Sequence, residues 1–173
     1  MRGGGTETLT GQQRQESLDI LRASVQGGGD VGRTTFVIET IRSSVPAVLA
    51  LVADMARQPR FDSAEFEQLK QQRIAELEQE RSDPQALAFN AFERRTNPHL
   101  PNHPLYTPTI EESIKSTTGS TLADARNFHS RYYGASAADL VLIGDIDSSA
   151  VLVTAQKLFG DWTAPEKFAR IPE

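Results

Sequence analysis

Few residues in this chain are of types that do chemistry. The only histidines are His99, His103 and His129, and there is no cysteine. Thiolate nucleophiles, disulfides and cysteine-ligated metals are excluded on that ground alone. His99 and His103 stand four apart, the spacing at which two imidazoles on one helix face can share a metal ion. They sit in Asn97-Pro98-His99-Leu100-Pro101-Asn102-His103-Pro104. A helical turn cannot pass through these prolines, so both read as loop histidines. His129 falls at helical spacing with Leu122, Ala125, Tyr132 and Tyr133, which predicts a packed, hydrogen-bonded ring. The densest carboxylate run is Glu76, Glu78 and Glu80, with Arg73 and Arg81 alongside. On a helix Glu76 borders the Phe66, Leu69 and Leu77 face, and by itself the run reads as a solvated charged surface. Gly27-Gly28-Gly29 is followed by no Gly-Lys-Ser/Thr and is read as a hairpin turn, not a phosphate loop. No serine nucleophile with a neighbouring base is suggested. The residues alone therefore supply no catalytic group.

The elements that would position these residues follow from periodicity and caps. Residues 1–10 are Gly- and Thr-rich and read as loop. Thr10 caps a helix from Gly11 to about Ser24, with Ile20 and Leu21 turned inward. Arg33 to Ile41 is rich in β-branched residues and pairs with the short stretch before the glycines as a hairpin. Ser44 and Pro46 open a second helix with Val45, Val48, Leu51, Val52 and Met55 on one side, stopped by Pro59. Asp62 with Glu65 starts a third, to about Arg81, with Phe66, Leu69, Ile74 and Leu77 as its core face. Asp83-Pro84 starts a fourth carrying Leu87, Phe89 and Phe92. The four prolines between Asn97 and Pro108 make a long loop. Short helices follow over Thr109–Ile114 and Thr121–Tyr133, the second ended by Gly134. Ala138 to Asp145 is a near-continuous apolar run and predicts a central strand. Asp147 caps a last helix through Phe159, with Val151, Ala155, Leu158 and Phe159 on one face. The class is α+β, a mostly antiparallel sheet with clustered helices.

Composition narrows the function. The chain has 173 residues, 38% of them hydrophobic and 24% charged, which suits a globular domain rather than a disordered tail or a rod. It carries 18 Lys and Arg against 23 Asp and Glu, a net charge of −5. Phosphate contacts need clustered Lys and Arg, so nucleic acid is not an expected partner. The longest apolar candidate, Val45 to Met55, is broken by Pro46 and Asp54, so no membrane span is expected. The opening Met1-Arg2-Gly3-Gly4-Gly5 reads as the middle of a longer sequence.

Several stretches in order resemble one family. They are Val45 to Arg60; Phe61-Asp62-Ser63-Ala64-Glu65-Phe66; Ser82-Asp83-Pro84; His103-Pro104-Leu105-Tyr106 with Pro108-Thr109-Ile110-Glu111-Glu112; Phe128-His129-Ser130-Arg131-Tyr132-Tyr133-Gly134; and Gly144-Asp145-Ile146-Asp147. Together they are similar to the insulinase/pitrilysin zinc peptidases, which include the mitochondrial processing peptidase subunits. The resemblance implies a unit made of an antiparallel sheet packed on one face by helices. Family members close two or four such units around a chamber for extended peptides. Residues 1–173 would be one such unit, truncated and without an internal boundary.

The resemblance also implies a chemistry that the chain lacks. The family binds zinc through H-x-x-E-H on a helix, the Glu acting as general base, with a third ligand Glu downstream. No H-x-x-E-H or H-E-x-x-H occurs here. In the family that motif directly precedes the segment that Arg2 to Leu18 resembles. Glu76 matches the third-ligand position, counted back from Asp83-Pro84. The Arg/Tyr pair of active members belongs to the other unit's pattern and is not carried over to Arg131 and Tyr132. Arg2 to Gln13 and the loop ending at Thr109 resemble the second, non-catalytic half of long bacterial members. The expected function is a non-catalytic domain of a zinc metallopeptidase that helps enclose a peptide substrate. The chain alone is expected to be inactive, zinc belonging to the parent protein. The alternatives are a truncated catalytic unit, or a structural subunit of a processing or respiratory complex. The expected partners are a second insulinase-like unit and a peptide, with self-association of the isolated piece through uncovered apolar surface. Family analogy favours a bacterial periplasmic location.

Overall fold

A computed structural model describes residues 5–169 and 171. The chain forms two compact units: one from the described residues up to Asp62 and from Ala125 onward, the other from Ser63–Asp124. Seven α-helices and one two-stranded antiparallel sheet are present among the described residues, the α+β class expected.

In the first unit, Thr10 launches α1 (Gly11–Ile20) through a reciprocal pair. Its hydroxyl accepts from the Gln13 N–H at 3.2 Å and the Gln13 side chain accepts from the Thr10 N–H at 2.9 Å. This satisfies two donors that a helix start leaves open. The buried residues of α1 are Arg14 and Leu18. Ile20, expected inside, is 81% exposed, because the helix ends four residues early and its inner stripe runs through Leu18. Of the expected loop over 1–10, residues 1–4 lie outside the described residues. The remainder is fastened to the end of α2 (Val45–Arg57) by a Thr6–Pro59 bridge, and Thr6 is fully buried.

β1 (Ser24–Asp30) pairs with β2 (Arg33–Glu39) from Ser24↔Glu39 to Asp30↔Arg33. Gly27, Gly28 and Gly29 lie inside β1, not in the turn. The turn is Val31-Gly32, where Gly32 takes φ 77°, a conformation that costs glycine nothing. The two-residue period sets Val25 and Phe36 against a core of Leu18, Leu51 and Met55, so helices cover one face of the hairpin.

A 3-10 turn (Arg42–Ser44) leads into α2, which has Pro46 in its first turn and is buried at Val48, Leu49, Leu51, Val52, Ala53, Met55 and Ala56. Ser44 holds the cap position without a side-chain bond. α7 (Ser148–Phe159) packs on α2 and is capped by the Asp147 carboxylate, which accepts from the Ala150 N–H at 3.0 Å. Val151, Ala155, Leu158 and Phe159 are half-buried, the face expected.

The strand expected over Ala138–Asp145 does not form. Residues 138–143 run without helix, turn or bend, and among the described residues no backbone hydrogen bond reaches residues 139–143. Val141 is 79% and Ile143 is 96% exposed. A strand exists only through its ladder, and no segment among the described residues lies alongside to form one.

The second unit holds α3 (Ser63–Ser82), α4 (Pro84–Thr96) and α5 (Ile110–Gly119), with α3 packed on both of the others. Asp83 caps α4 by accepting from the Gln85 N–H at 2.9 Å. Residues 97–109 form the expected irregular loop. Leu77 and Ile110 are the buried apolar residues. Leu69, expected on the core face of α3, is exposed, and so are Leu87, Phe89 and Phe92 of α4. α6 (Leu122–Tyr132) begins in the second unit and ends in the first.

Candidate functional site

On α3, helical spacing lines up Gln72, Arg73, Glu76 and Glu80. Glu76 Oε1 accepts from the Gln72 amide at 3.1 Å, and Arg73 Nη1 donates to Glu76 Oε2 at 3.2 Å and to Glu80 Oε1 at 3.3 Å. The Glu76 side chain is 48% exposed. Arg81 pairs with Glu78 at 2.7 Å one turn on. These are partners three, four and seven residues apart on a wet surface, each pair worth a few tenths of a kcal/mol, about 0.2–0.5. Among the described residues no three His, Cys, Asp or Glu side chains come together where a metal ion could be held. A catalytic zinc needs three protein ligands. One carboxylate already engaged by a guanidinium does not supply them, so the residues present do not fit a zinc centre.

Beside this row lies a cleft of about 540 Å³ lined by Arg73, Leu77, His103, Tyr106, Glu112 and Ser116, among others. Tyr106 Oη donates to Glu112 Oε2 at 2.8 Å, and the same oxygen accepts from the Thr109 N–H at 2.8 Å. The Glu112 carboxyl is held below its ordinary range, first by the Thr109 N–H and then by the Tyr106 hydroxyl. Tyr106 is pushed up, chiefly because Glu112 holds its proton. Sequence reasoning did not single out this pair, although Thr109 with Glu112 three later carries the capping-box signal. His103 Nδ1 accepts from the Leu105 N–H at 3.1 Å, and its ring stacks on His99 at 4.4 Å and 9°. The two histidines are therefore loop residues that hold the loop's shape.

His129 is the packed histidine expected. Its Nε2 donates to the Ala56 carbonyl at 2.7 Å, and its ring lies between Phe61, edge-on at 5.5 Å, and Tyr133 at 4.7 Å. A carbonyl can only accept, so Nε2 carries the proton. Arg131 is tied to Glu166 at 2.7 Å and lies 5.2 Å from the Tyr132 ring.

Comparison with known proteins agrees with this geometry. The family model described as Insulinase (Peptidase family M16) matches residues 1–109, and the one described as Peptidase M16 inactive domain matches residues 120–173. An uncharacterized zinc protease of Rickettsia bellii (strain RML369-C) is 23% identical over 163 residues, 94% of this chain and 39% of that protein. The peptidase M16 inactive domain from Pseudomonas fluorescens has the same fold at TM-score 0.79 and 20% identity, over 99% of this chain and 42% of that one. A protease from Helicobacter pylori aligns at TM-score 0.77 and 20% identity, over 99% of this chain and 40% of that one. Pitrilysin aligns at 0.67 and 21%, over 98% of this chain and 18% of its own. The chain thus spans about two fifths or less of the relatives it matches. With 109 of 173 residues under the insulinase model, the chain belongs to the insulinase family of peptidases, family M16.

Proposed function

We propose that this chain is a non-catalytic unit of a zinc metallopeptidase and helps enclose a peptide substrate. The observation that carries the reading is the match of residues 120–173 to the M16 inactive domain. The single carboxylate at the third-ligand position, Glu76, is in keeping with it. Zinc would belong to a companion insulinase-like unit, in the same polypeptide or another, and a periplasmic location goes with the bacterial relatives. The β1–β2 hairpin supports a role in holding peptide. Among the described residues two strands pair, and the outer edge of β2 has N–H and C=O groups that can receive an extended chain.

The test is metal content and hydrolysis on the same preparation. After zinc exposure and gel filtration, the folded chain should retain no stoichiometric zinc and should not cleave a quenched-fluorescence peptide library. Chelator-sensitive cleavage by the purified chain would sink the proposal.

A further inference from the structure

The loop between α4 and α5 is held in shape by few bonds, and one of them exists only while a histidine is neutral. Pro98, Pro101 and Pro104 have no N–H to give. Among the described residues, every hydrogen bond made by residues 98–105 has its partner within residues 97–106. Three join backbone groups: His99 N–H to Asn97, His103 N–H to Leu100 and Tyr106 N–H to His103. The fourth runs from the Leu105 N–H to His103 Nδ1, at 3.1 Å. A backbone N–H only donates, so Nδ1 presents its lone pair and the ring proton sits on Nε2. A proton added to Nδ1 would set two N–H groups against each other. The Leu105 bond and a charged His103 therefore exclude one another.

The surroundings offer a charged His103 no partner of its own. The His99 ring is stacked on it, centroids 4.4 Å apart and 9° from parallel, so a second proton on the pair brings like charges together. α3 presents Arg73, a further cation, already held by Glu76 and Glu80. α5 presents Glu112, whose Oε2 is taken by the Tyr106 hydroxyl and the Thr109 N–H. Arg94 of α4 acts on that same carboxylate and on Tyr106.

Past residue 105 the loop is fastened in another way. The Pro108 carbonyl accepts from Asn90 Nδ2 at 3.0 Å, and Thr109 and Glu112 close the cap of α5. None of these bonds involves a histidine. Release of the Leu105 N–H thus loosens residues 98–105, including Pro101 and His103 at the rim of the cleft, and leaves the start of α5 in place.

We infer that residues 98–105 form an acid-opened flap on the cleft lined by α3 and α5, closed while His103 is neutral and released when its Nδ1 takes a proton. This inference does not rest on the peptidase reading, because the movement is read from amide and imidazole signals without any hydrolysis.

The test is a pH titration of the whole isotope-labelled chain by NMR, with hydrogen exchange of each amide compared with its intrinsic rate at the same pH. From about pH 8 to about pH 5, the span in which histidine takes up its proton, protection of the Leu105 amide should fall about tenfold while residues 113–119 hold theirs. The His103 ring-nitrogen signals should show the Nδ1 proton arriving in step with that loss. His103→Asn should stay closed over the same span, because an Asn oxygen accepts from the N–H two residues on and does not titrate. His99→Phe keeps a stacked ring that cannot be charged, and its Leu105 amide should still respond. Constant Leu105 protection in the native chain overturns the proposal. So does a loss of protection out of step with the Nδ1 proton, which is read on the native chain even where His103→Asn leaves the loop open at every pH. A His103→Asn chain that opens with acid as the native one does overturns it too. A His99→Phe chain that no longer responds places the controlling proton on His99, and a Glu112→Gln chain that no longer responds places it on the carboxylate; either overturns the assignment to His103.

Discussion

Arg57, at the end of α2, grips the end of α7. Its Nη1 donates to the Leu158 carbonyl at 2.6 Å and to Asp161 Oδ1 at 2.9 Å, and the guanidinium lies 5.9 Å from the Trp162 ring. The Leu158 carbonyl belongs to a helix end, where such groups lack intrahelical partners and a cation is favourable. Arg57→Ala should destabilise the chain by about 1–2 kcal/mol in denaturant titration. Arg57→Lys should recover only part of that loss, because an ammonium cannot hold the carbonyl and carboxylate in one planar fork.

His129→Leu keeps much of the ring's volume but leaves the Ala56 carbonyl without its donor. A loss of about 1–3 kcal/mol is expected, the cost of an orphaned, part-buried acceptor. His129→Gln can still donate and should lose less. Equal stability of the Leu variant and the native chain in urea would contradict the packed, bonded role.

The Glu112 cluster predicts an acid-sensitive second unit. A carboxyl held below its ordinary range adds stability above its unfolded pKa, and that stability is lost as pH falls through the folded value. The native chain should therefore lose stability more steeply than Glu112→Gln on acidification through the carboxylate range. Tyr106→Phe should shallow the same slope, since it removes the second of the two donors. Thermal melts at stepped pH values read both.

Two glycines of the hairpin should respond in opposite directions. A side chain at Gly28 would meet nothing within 4 Å, whereas Gly32 sits at φ 77° with Ile171 Cδ1 3.2 Å from the position of an added Cβ. Gly28→Thr should be neutral or stabilising by up to about 1 kcal/mol, as a strand former replaces glycine. Gly32→Thr should cost about 1–2 kcal/mol, the penalty of a β-branched residue in the left-handed region. Paired melting curves distinguish the two.

The parts of this fold that were legible in the sequence are those written locally. Thr10 starts α1, Asp83-Pro84 starts α4 and Asp147 starts α7, because a cap needs only residues within one turn. The face of α7 followed from spacing for the same reason. What spacing cannot carry is the identity of the neighbour. Phe89 and Phe92 were expected as core but are exposed, and Leu140–Ile143 has the composition of a central strand but no ladder among the described residues. The glycines of β1 misled differently: three in succession signal a turn, yet the positive φ falls on Gly32, where the chain reverses. At the site, His129 was readable from its helical position, whereas the bond between Tyr106 and Glu112 depends on how a proline-rich loop returns to α5.

The second unit is one unbroken stretch, but the first is made from both ends of the chain. The Arg57–Leu158 bond joins residues 101 apart in sequence. During synthesis at roughly 5–20 residues per second, α2 therefore waits about 5–20 s for α7 to be made. Over that interval the apolar stripe of α2 lacks one of its covers, while α3, α4 and α5 can already assemble from near neighbours. The order of synthesis makes α2 the segment most exposed to wrong partners, and the place where a chaperone would have the most to protect.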